Sequence, residues 1–268
     1  MRKMKSFFRC LALSLVVNTG INPKKAFLSI CGFPSYFRIL RMLKRQRKIS
    51  GGDFDFALPF PCLSERFSDS GTARGHYFHQ DLLVSRRIFQ NNPKRHVDVG
   101  SRIDGFVAHV ASFREIEVID IRPLNSTIAN ICFKQVDFME PLPKELHEYS
   151  DSLSCLHALE HFGLGRYGDP ADYNGHLRGL DNLRLTLKTG GKLYFSVPIG
   201  PQRIEYNAHR VFSICWLLKQ FDGKYSVDSF SFVDDKGNLH EKVSLDATAV
   251  RNNFGCNFGC GIFELTKL

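Results

Sequence analysis

From residue 76 onward, short apolar runs alternate with stretches in which apolar residues recur at helical spacing. Continuous apolar runs are typical of buried strands, and repeats of three and four residues are typical of amphipathic helices. The pattern predicts strands over 95–99, 117–121, 133–138, 152–156, 192–197, 225–233 and 261–267. It predicts helices over 76–90, 106–112, 177–187 and 212–221.

Alternating strands and helices are typical of an α/β domain with a doubly wound, mostly parallel sheet. The last two predicted strands have no helical pattern between them, which indicates an antiparallel edge strand. In such sheets, ligands bind at the carboxyl ends of the strands. We therefore expect functional residues in the segments that directly follow the strands.

Basic residues are concentrated at the N-terminus: residues 1–52 contain twelve Lys or Arg and no acid. Residues 35–48 have the pattern of a basic amphipathic helix, so we divide the chain into a basic arm (1–52), a connector (53–75) and an α/β domain (76–268). The arm predicts peripheral contact with an anionic membrane, or else a solvated helix packed on the domain. The domain itself is mildly acidic, so nucleic acid is not expected as a partner.

The length of 268 residues, with 43% hydrophobic and 24% charged residues, fits one globular domain with an appendage. The apolar run at 11–17 follows a basic start but is too short to span a bilayer and lacks a signal-peptidase site. Eight cysteines are too few for a disulfide scaffold, which favours a cytoplasmic location. Cys256 and Cys260 have no second pair at metal-binding spacing, so no metal site is predicted.

Acids and a glycine lie at the carboxyl ends of three successive predicted strands. They are Asp98, Gly100 and Ser101 at the first, Asp120 at the second, and Asp137 and Phe138 at the third. A glycine turn that opens a helix can hold an anionic or polar group, and a carboxylate at the next strand end can accept both hydroxyls of a ribose. Aspartates are also common turn formers. Three such sites in order favour an adenosine-type cofactor.

These residues resemble the motifs of the class I S-adenosylmethionine-dependent methyltransferases. The resemblance implies that Asp98, Gly100 and Ser101 hold the methionine part of S-adenosylmethionine, that Asp120 holds its ribose, and that Asp137 meets its adenine. The turn departs from the family pattern, because Arg102 and Asp104 replace its later glycines. Arg102 either fills the cofactor site or contacts the cofactor carboxylate.

Longer strings, such as HYFHQDLLVSRRIFQNNPKRHVDVG, SDSLSCLHALEHFGLGRYGDP and GGKLYFSVPIGPQRIEYNAHRVFS, are similar to the family called domain of unknown function 268. This resemblance covers nearly the whole chain but implies no activity. Members in bacteria are often encoded beside genes for surface polysaccharides. The association implies a role connected with glycans.

Titratable side chains are densest after the fourth predicted strand, where His157, Glu160 and His161 follow Leu156. The H-x-x-E-H spacing also occurs in zinc peptidases, but glycines interrupt the long helix that such enzymes need. The methyltransferase resemblance implies that Leu156 and His157 line the cofactor pocket. His161 is then the candidate base and Glu160 its orienting partner. Alternatively, His161 caps a turn and Glu160 pairs with Arg166.

A polar segment after the fifth predicted strand is the candidate substrate site. Its members are Arg203, Asn207, His209 and Arg210, which suit a sugar, a carboxylate or a phosphate. The alternative is a surface network of ion pairs. His76 and His79 lie one helical turn apart in the first helix of the domain, and we expect them to make structural contacts.

Together these patterns predict a methyltransferase that uses S-adenosylmethionine and acts on a saccharide, a lipid-linked glycan or another small molecule. The alternative is an inactive scaffold of the same fold, or a glycan-binding protein of surface polysaccharide biosynthesis. A nicotinamide-dependent oxidoreductase is not expected, because Gly100 to Gly105 lacks the G-x-G-x-x-G spacing.

Overall fold

A computed structural model describes Val16 and residues 19–268. The apolar run at 11–17 lies outside the described residues except for Val16. The chain forms two compact units, Met1–Thr72 and Ala73–Leu268. Among the described residues, we find no helix with the length and apolar character that crossing a membrane requires.

The first unit contains helix α1 (Pro23–Ser50), which is longer than the helix predicted over 35–48. It begins early because Pro23 occupies its first turn and the Asn22 side chain accepts a hydrogen bond from the Lys25 amide. It ends at Gly51, whose left-handed conformation (φ 62°) is typical of a helix C-terminus. Gly32 is its one fully buried residue, because the backbone of Leu63 lies directly against it.

The second unit is built on ten strands. These are β1 (His96–Val99), β2 (Ile116–Asp120), β3 (Ile131–Gln135), β4 (Ser150–Leu156), β5 (Leu187–Ile199), β6 (Arg203–Glu205), β7 (His209–Val211), β8 (Tyr225–Val233), β9 (Leu239–His240) and β10 (Gly259–Lys267). Eight of them form one sheet in the order β3-β2-β1-β4-β5-β10-β8-β9, and β6 and β7 form a separate hairpin.

Strands β1 to β5 pair in parallel, as predicted. Strand β10 runs antiparallel between β5 and β8, and β9 pairs antiparallel with β8 at the edge. The antiparallel edge is therefore confirmed, and a second antiparallel strand lies inside the sheet. The predicted third strand (133–138) in fact ends at Gln135, so Asp137 lies in the loop beyond it.

The helices of this unit are α2 (His76–Asn91), α3 (Ala108–Ala111), α4 (Gly175–Thr186), α5 (Ile214–Phe221) and α6 (Ala247–Arg251). The helix predicted from 106 begins instead with a π-helical turn, Ile103–Val107, because Gly105 adopts a non-helical conformation (φ −122°, ψ −111°). The β6–β7 hairpin, β9 and α6 were not predicted.

Apolar side chains cover both faces of the sheet. One face packs Phe195, Phe230 and Phe263 against α5 through Leu217 and Phe221. The other face packs against α2 and the segment after β1, through the buried residues Val84, Ile88, Phe106, Val110 and Ile116. Burial on both faces fixes the strand register, and so the position of each strand end.

Candidate functional site

The carboxyl ends of β1 to β4 meet at a cavity, called the first cavity below. Seven of the residues predicted for the site are in its wall: Gly100, Asp120, Asp137, Phe138, Leu156, His157 and His161. Asp98, Ser101 and Glu160 are buried behind it. The fold therefore brings together predicted site residues from four separate strand ends. Three other predicted residues are buried behind the wall of the cavity.

Gly100 begins the turn after β1. Its conformation is left-handed (φ 76°), and its amide donates a hydrogen bond to the Ile119 carbonyl oxygen at 2.9 Å. A Cβ atom at this position would lie 2.8 Å from the Cβ of Ala158. Both the backbone conformation and the close approach require glycine here, and the absence of a side chain keeps the cavity open beside the turn.

Asp98 shapes this turn from behind. It is fully buried, and its carboxylate accepts hydrogen bonds from the amide and hydroxyl of Ser101 and from the hydroxyl of Ser154. Burial raises the pKa of Asp98 to about 7, although these hydrogen bonds oppose the rise. Asp98 and Ser101 thus position the turn instead of lining the cavity, which differs from the direct contact with a cofactor that the resemblance implied.

The Asp98→Asn variant is expected to flatten the dependence of stability on pH. Between about pH 4 and pH 7 the folded state keeps the Asp98 proton that the unfolded state has released, so the native free energy of unfolding falls as pH rises. Each pH unit costs up to about 1.4 kcal/mol. Urea unfolding at several pH values measures the slope, and equal slopes for the two proteins would contradict the assignment.

Arg102 does not fill the first cavity, although it lies in the wall. Its guanidinium donates two hydrogen bonds to Asp104, at 3.1 and 2.8 Å, and its side chain is 59% exposed. It also lies 5.6 Å from the centre of the Tyr77 ring. The two residues that replace the expected glycines therefore pair with each other at the mouth, and the space over Gly100 remains free of them.

Asp120 and Asp137 flank the cavity and differ in their present partners. Asp120 accepts hydrogen bonds from the backbone amide, the Nε and the Nη2 of Arg122, at 2.8, 3.0 and 2.5 Å. The Arg122 guanidinium is stacked 4.6 Å from the Tyr167 ring centre. Asp137 accepts one hydrogen bond, from the Met139 amide at 2.8 Å. A carboxylate has about four acceptor positions, so each acid retains capacity for a ligand.

His161 is in the wall with a defined tautomer. Its Nδ1 lies 2.7 Å from the Ala208 carbonyl oxygen, which can only accept, so Nδ1 carries the proton. Burial lowers the pKa of His161 below 6.5, and Arg166 adds to this effect while Glu160 opposes it. At neutral pH, His161 therefore has an unprotonated Nε2 that can accept a proton.

Glu160 pairs with His157, and not with Arg166 as the alternative interpretation proposed. The Nδ1 of His157 lies 2.7 Å from Oε1 of Glu160, and both side chains are almost completely buried. Burial alone would lower the pKa of His157, but Cys260 and Glu160 raise it well above 6.5. Burial raises the pKa of Glu160, but His157 and His161 lower it, and the pKa lies below its usual value. The pair is therefore ionic, with His157 in the cavity wall and Glu160 behind it.

The four candidate substrate residues do not converge on one site. Arg203 and Arg210 line a second cavity, together with Trp216. Arg210 is 4% exposed and donates hydrogen bonds to backbone carbonyls, among them that of Phe162. Asn207 is at the exposed turn of the β6–β7 hairpin with φ 58°, and His209 packs on the Phe258 ring. The hairpin is held partly by internal pairs such as Arg203 with Glu205.

The sequence profile of one family matches residues 110–254, more than half of the chain. Its description is Caenorhabditis protein of unknown function, DUF268. The chain belongs to this family. The description names neither an activity nor a polysaccharide context. No curated protein sequence matches this DUF268 chain.

Solved structures show the fold of this DUF268 chain. The 1,6-didemethyltoxoflavin-N1-methyltransferase of Burkholderia thailandensis, solved with S-adenosylhomocysteine, matches with a TM-score of 0.50 and 12% identity over 87% of this chain and 89% of that chain. The N-methyltransferase NodS of Bradyrhizobium japonicum WM9 matches with a TM-score of 0.48 and 13% identity, over 77% and 91%. The match to the Burkholderia thailandensis enzyme shows that the chain has the class I methyltransferase fold, as its motifs implied.

Several site residues of this DUF268 chain were missed by the sequence analysis. They are Tyr77 and Arg122 in the first cavity, and Trp216 in the second. Arg122 had a usable signal, because it follows the ribose-binding candidate Asp120 by two residues. The others come from segments distant in sequence, and no local pattern marks them.

Proposed function

We propose that the chain is a methyltransferase that uses S-adenosylmethionine and binds its adenosyl group in the first cavity. One observation carries the proposal: Gly100, Asp120 and Asp137 come from three successive strand ends and line the same cavity. In this fold, that is the order in which methionine, ribose and adenine are met. S-adenosylmethionine supplies an electrophilic methyl group when bound.

Each wall residue has a role in this proposal. Gly100 gives the methionine part close access to the backbone of the turn. Asp120 accepts a hydrogen bond from a ribose hydroxyl at the one acceptor position that Arg122 leaves available. Asp137 accepts a hydrogen bond from the adenine amino group, and Phe138 and Leu156 supply apolar surface for the ring.

His161 is the proposed general base. Its Nδ1 proton is held by the Ala208 carbonyl, so the lone pair of Nε2 takes the proton of the acceptor hydroxyl as that oxygen attacks the methyl group. The methyl–sulfur bond breaks and the sulfur keeps the electron pair. Glu160 is a positioning residue in this proposal. Its Oε1 lies 3.8 Å from Nε2 of His161 and is hydrogen-bonded to Nδ1 of His157.

Native mass spectrometry tests the cofactor directly. The full chain, incubated with millimolar S-adenosylhomocysteine, is expected to gain one ligand per chain. An Asp137→Ala variant is expected to show reduced occupancy, and the exposed control Asp69→Ala unchanged occupancy, because Asp69 is in the first unit. A native chain that gains no ligand would refute the catalytic proposal.

A saccharide is the acceptor class that we propose, whether free or linked to a lipid. The second cavity combines the half-buried ring of Trp216 with Arg203, Arg210 and Gln202. A flat aromatic ring beside hydrogen-bonding side chains suits a sugar, which has an apolar face and hydroxyl edges. Trp216 is the only tryptophan, so its fluorescence reports binding. Saccharides that leave this fluorescence unchanged are not bound there.

An inactive scaffold of the same fold is the second candidate, and one contact favours it. Arg122 already engages Asp120 through its backbone amide and its guanidinium, so the acid that should hold the ribose has an internal partner. Such a protein would still bind glycans at the second cavity. Release of S-adenosylhomocysteine from S-adenosylmethionine in the presence of a saccharide acceptor would exclude this candidate, because an inactive scaffold does not transfer the methyl group.

We further propose that α1 contacts anionic membrane surfaces from a cytoplasmic location. The helix carries eight Lys or Arg and no acid, and it exposes an apolar row formed by Phe27, Ile30, Phe33 and Phe37. Exposed bases near an anionic surface contribute about 1 kcal/mol each. Basic and apolar exposure on one helix is typical of peripheral attachment.

Liposome sedimentation of full-length proteins tests this contact. Reversing three charges of α1 (Arg38→Glu, Arg41→Glu and Arg45→Glu) is expected to weaken binding to anionic vesicles by at least about 100-fold. The charge-matched control reverses three exposed lysines of the second unit (Lys144→Glu, Lys219→Glu and Lys236→Glu). Equal losses in the two proteins would indicate a net-charge effect and would refute contact through α1.

A further inference from the structure

Three potential metal ligands converge behind the wall of the first cavity. His76 is the first residue of α2, His157 follows β4, and Cys260 is in β10. One ligand atom of each lies within 4.8 Å of the other two. His157 is 8% exposed and Cys260 is fully buried. The fold thus brings together two imidazoles and a thiol that are far apart in sequence.

The two nitrogens of His157 have different environments. Nδ1 is bonded to Glu160, as described above. Nε2 is buried and makes no hydrogen bond with any residue that the structure describes. A buried polar nitrogen without a partner costs free energy. Metal-binding histidines are commonly held in this way, with one nitrogen on a carboxylate and the other on the metal.

Backbone conformation also places His157 in this position. Its φ of 50° is in the left-handed region, which is unfavourable for a residue with a side chain. In this conformation its ring lies parallel to that of His76, with centres 5.2 Å apart and an angle of 10°. The Phe258 ring packs against the other imidazole at 5.4 Å. Both rings are therefore held by their surroundings.

We propose that His76, His157 and Cys260 bind a divalent metal ion of the zinc class. Imidazole nitrogen and thiolate sulfur are preferred zinc ligands, and three protein ligands leave a fourth position for solvent or substrate. On binding, the protons on Nε2 of His157 and Sγ of Cys260 pass to the solvent. Tetrahedral coordination brings the ligand atoms to about 3.3–3.8 Å from one another, so the three side chains must close slightly.

The position of the site connects it to the first cavity. His157 belongs to both, since its ring is in the cavity wall and its Nε2 faces Cys260. Occupancy by a metal would fix the ring of His157, and through Glu160 the residues of the turn that carries His161. The proposal does not depend on S-adenosylmethionine binding, and its test has a separate readout.

Cobalt substitution provides this readout. Untagged full-length protein is stripped with a chelator, dialysed and titrated with Co²⁺. We expect one Co²⁺ per chain and a thiolate-to-cobalt charge-transfer band in the near ultraviolet, which an equivalent of Zn²⁺ then removes. Because the band requires a sulfur ligand, it reports the site in the native protein without any substitution.

Matched variants identify the ligands. Cys260→Ala is expected to lose the band, whereas Cys256→Ala, which removes another buried cysteine, is expected to keep it. His76→Ala is expected to weaken Co²⁺ binding by more than about 10-fold, and His79→Ala, one helical turn away, to leave it unchanged. Glu160→Gln is expected to weaken binding by about 10–100-fold, because it orients a ligand without touching the metal. Far-ultraviolet circular dichroism establishes that each variant is folded.

Two results would overturn the proposal. One is a native protein that shows no charge-transfer band with Co²⁺. The other is a band of unchanged intensity in folded Cys260→Ala, which would place the metal at a different thiol. If Cys260→Ala fails to fold, the proposal is tested by the Co²⁺ spectrum of the native protein and by Co²⁺ binding to His76→Ala and His79→Ala.

Discussion

The Asp120→Ala variant is expected to bind S-adenosylhomocysteine at least about 10-fold more weakly than the native chain. In the proposed complex, the Asp120 carboxylate accepts a hydrogen bond from a ribose hydroxyl at the acceptor position that Arg122 leaves available. A hydrogen bond to a charged group is worth about 1.5–3 kcal/mol, which corresponds to a factor of about 10 or more. Titration calorimetry on the full chain measures both affinities.

The matched control for Asp120→Ala is Glu115→Ala. Glu115 is exposed and directly precedes β2, so its substitution removes the same charge at the opposite end of the strand. The Glu115→Ala variant is expected to bind S-adenosylhomocysteine with the same affinity as the native chain. An Asp120→Ala protein that binds as tightly as the native chain would show that this carboxylate serves only Arg122, its present partner.

The Gly100→Ala variant is expected to lose about 2–5 kcal/mol of unfolding free energy. A left-handed conformation costs a residue with a side chain about 1–2 kcal/mol. The added Cβ would also lie 2.8 Å from the Cβ of Ala158, and such overpacking costs about 1–3 kcal/mol. Urea unfolding followed by Trp216 fluorescence measures the loss in the unit that contains the site.

Gly190→Ala separates the two causes of this loss. Gly190 has nearly the same conformation (φ 78°), but no described atom lies within 4 Å of a Cβ built there. Only the backbone cost of about 1–2 kcal/mol is therefore expected. Equal losses at the two positions would mean that the turn after β1 moves easily away from Ala158, and the turn would then not be the rigid element that the proposed site requires.

The parallel part of the sheet was predictable because short segments with apolar residues alternate along the chain with helical patterns. The strand at 116–120, for example, has buried residues on both faces, which is typical of a strand inside a parallel sheet. Polar or very short elements escaped prediction. Strands β6 and β7 are three residues each and largely polar, so neither alternation nor an apolar run marks them.

The candidate site was predictable where it depends on the ends of parallel strands. Gly100, Asp120 and Asp137 share one cavity because parallel strands end at one edge, and this relation can be read from the order of the motifs. Tertiary packing determined the rest. Asp98, for example, is buried beneath the turn, where it accepts a hydrogen bond from the hydroxyl of Ser154 in the adjacent strand β4. No local pattern relates Cys260 to His157.

The orientation of the polar side chains could not be predicted from the sequence either. The sequence left two roles for Arg102, either filling the cofactor site or contacting the cofactor carboxylate. Its side chain turns toward Asp104, so it does not fill the cofactor site. Arg210 has the composition of an anion-binding residue, yet backbone carbonyls surround its guanidinium. Such outcomes depend on which acceptors the fold places within hydrogen-bonding distance.

A crystal structure of the full chain with S-adenosylhomocysteine tests the central claim most directly. The account predicts the adenosyl group in the first cavity, with a ribose hydroxyl on Asp120, adenine beside Asp137, and the methionine part over Gly100. A ligand bound elsewhere would contradict the account. So would crystals soaked at saturating concentration in which the cavity holds no ligand and Asp120 is still paired with Arg122.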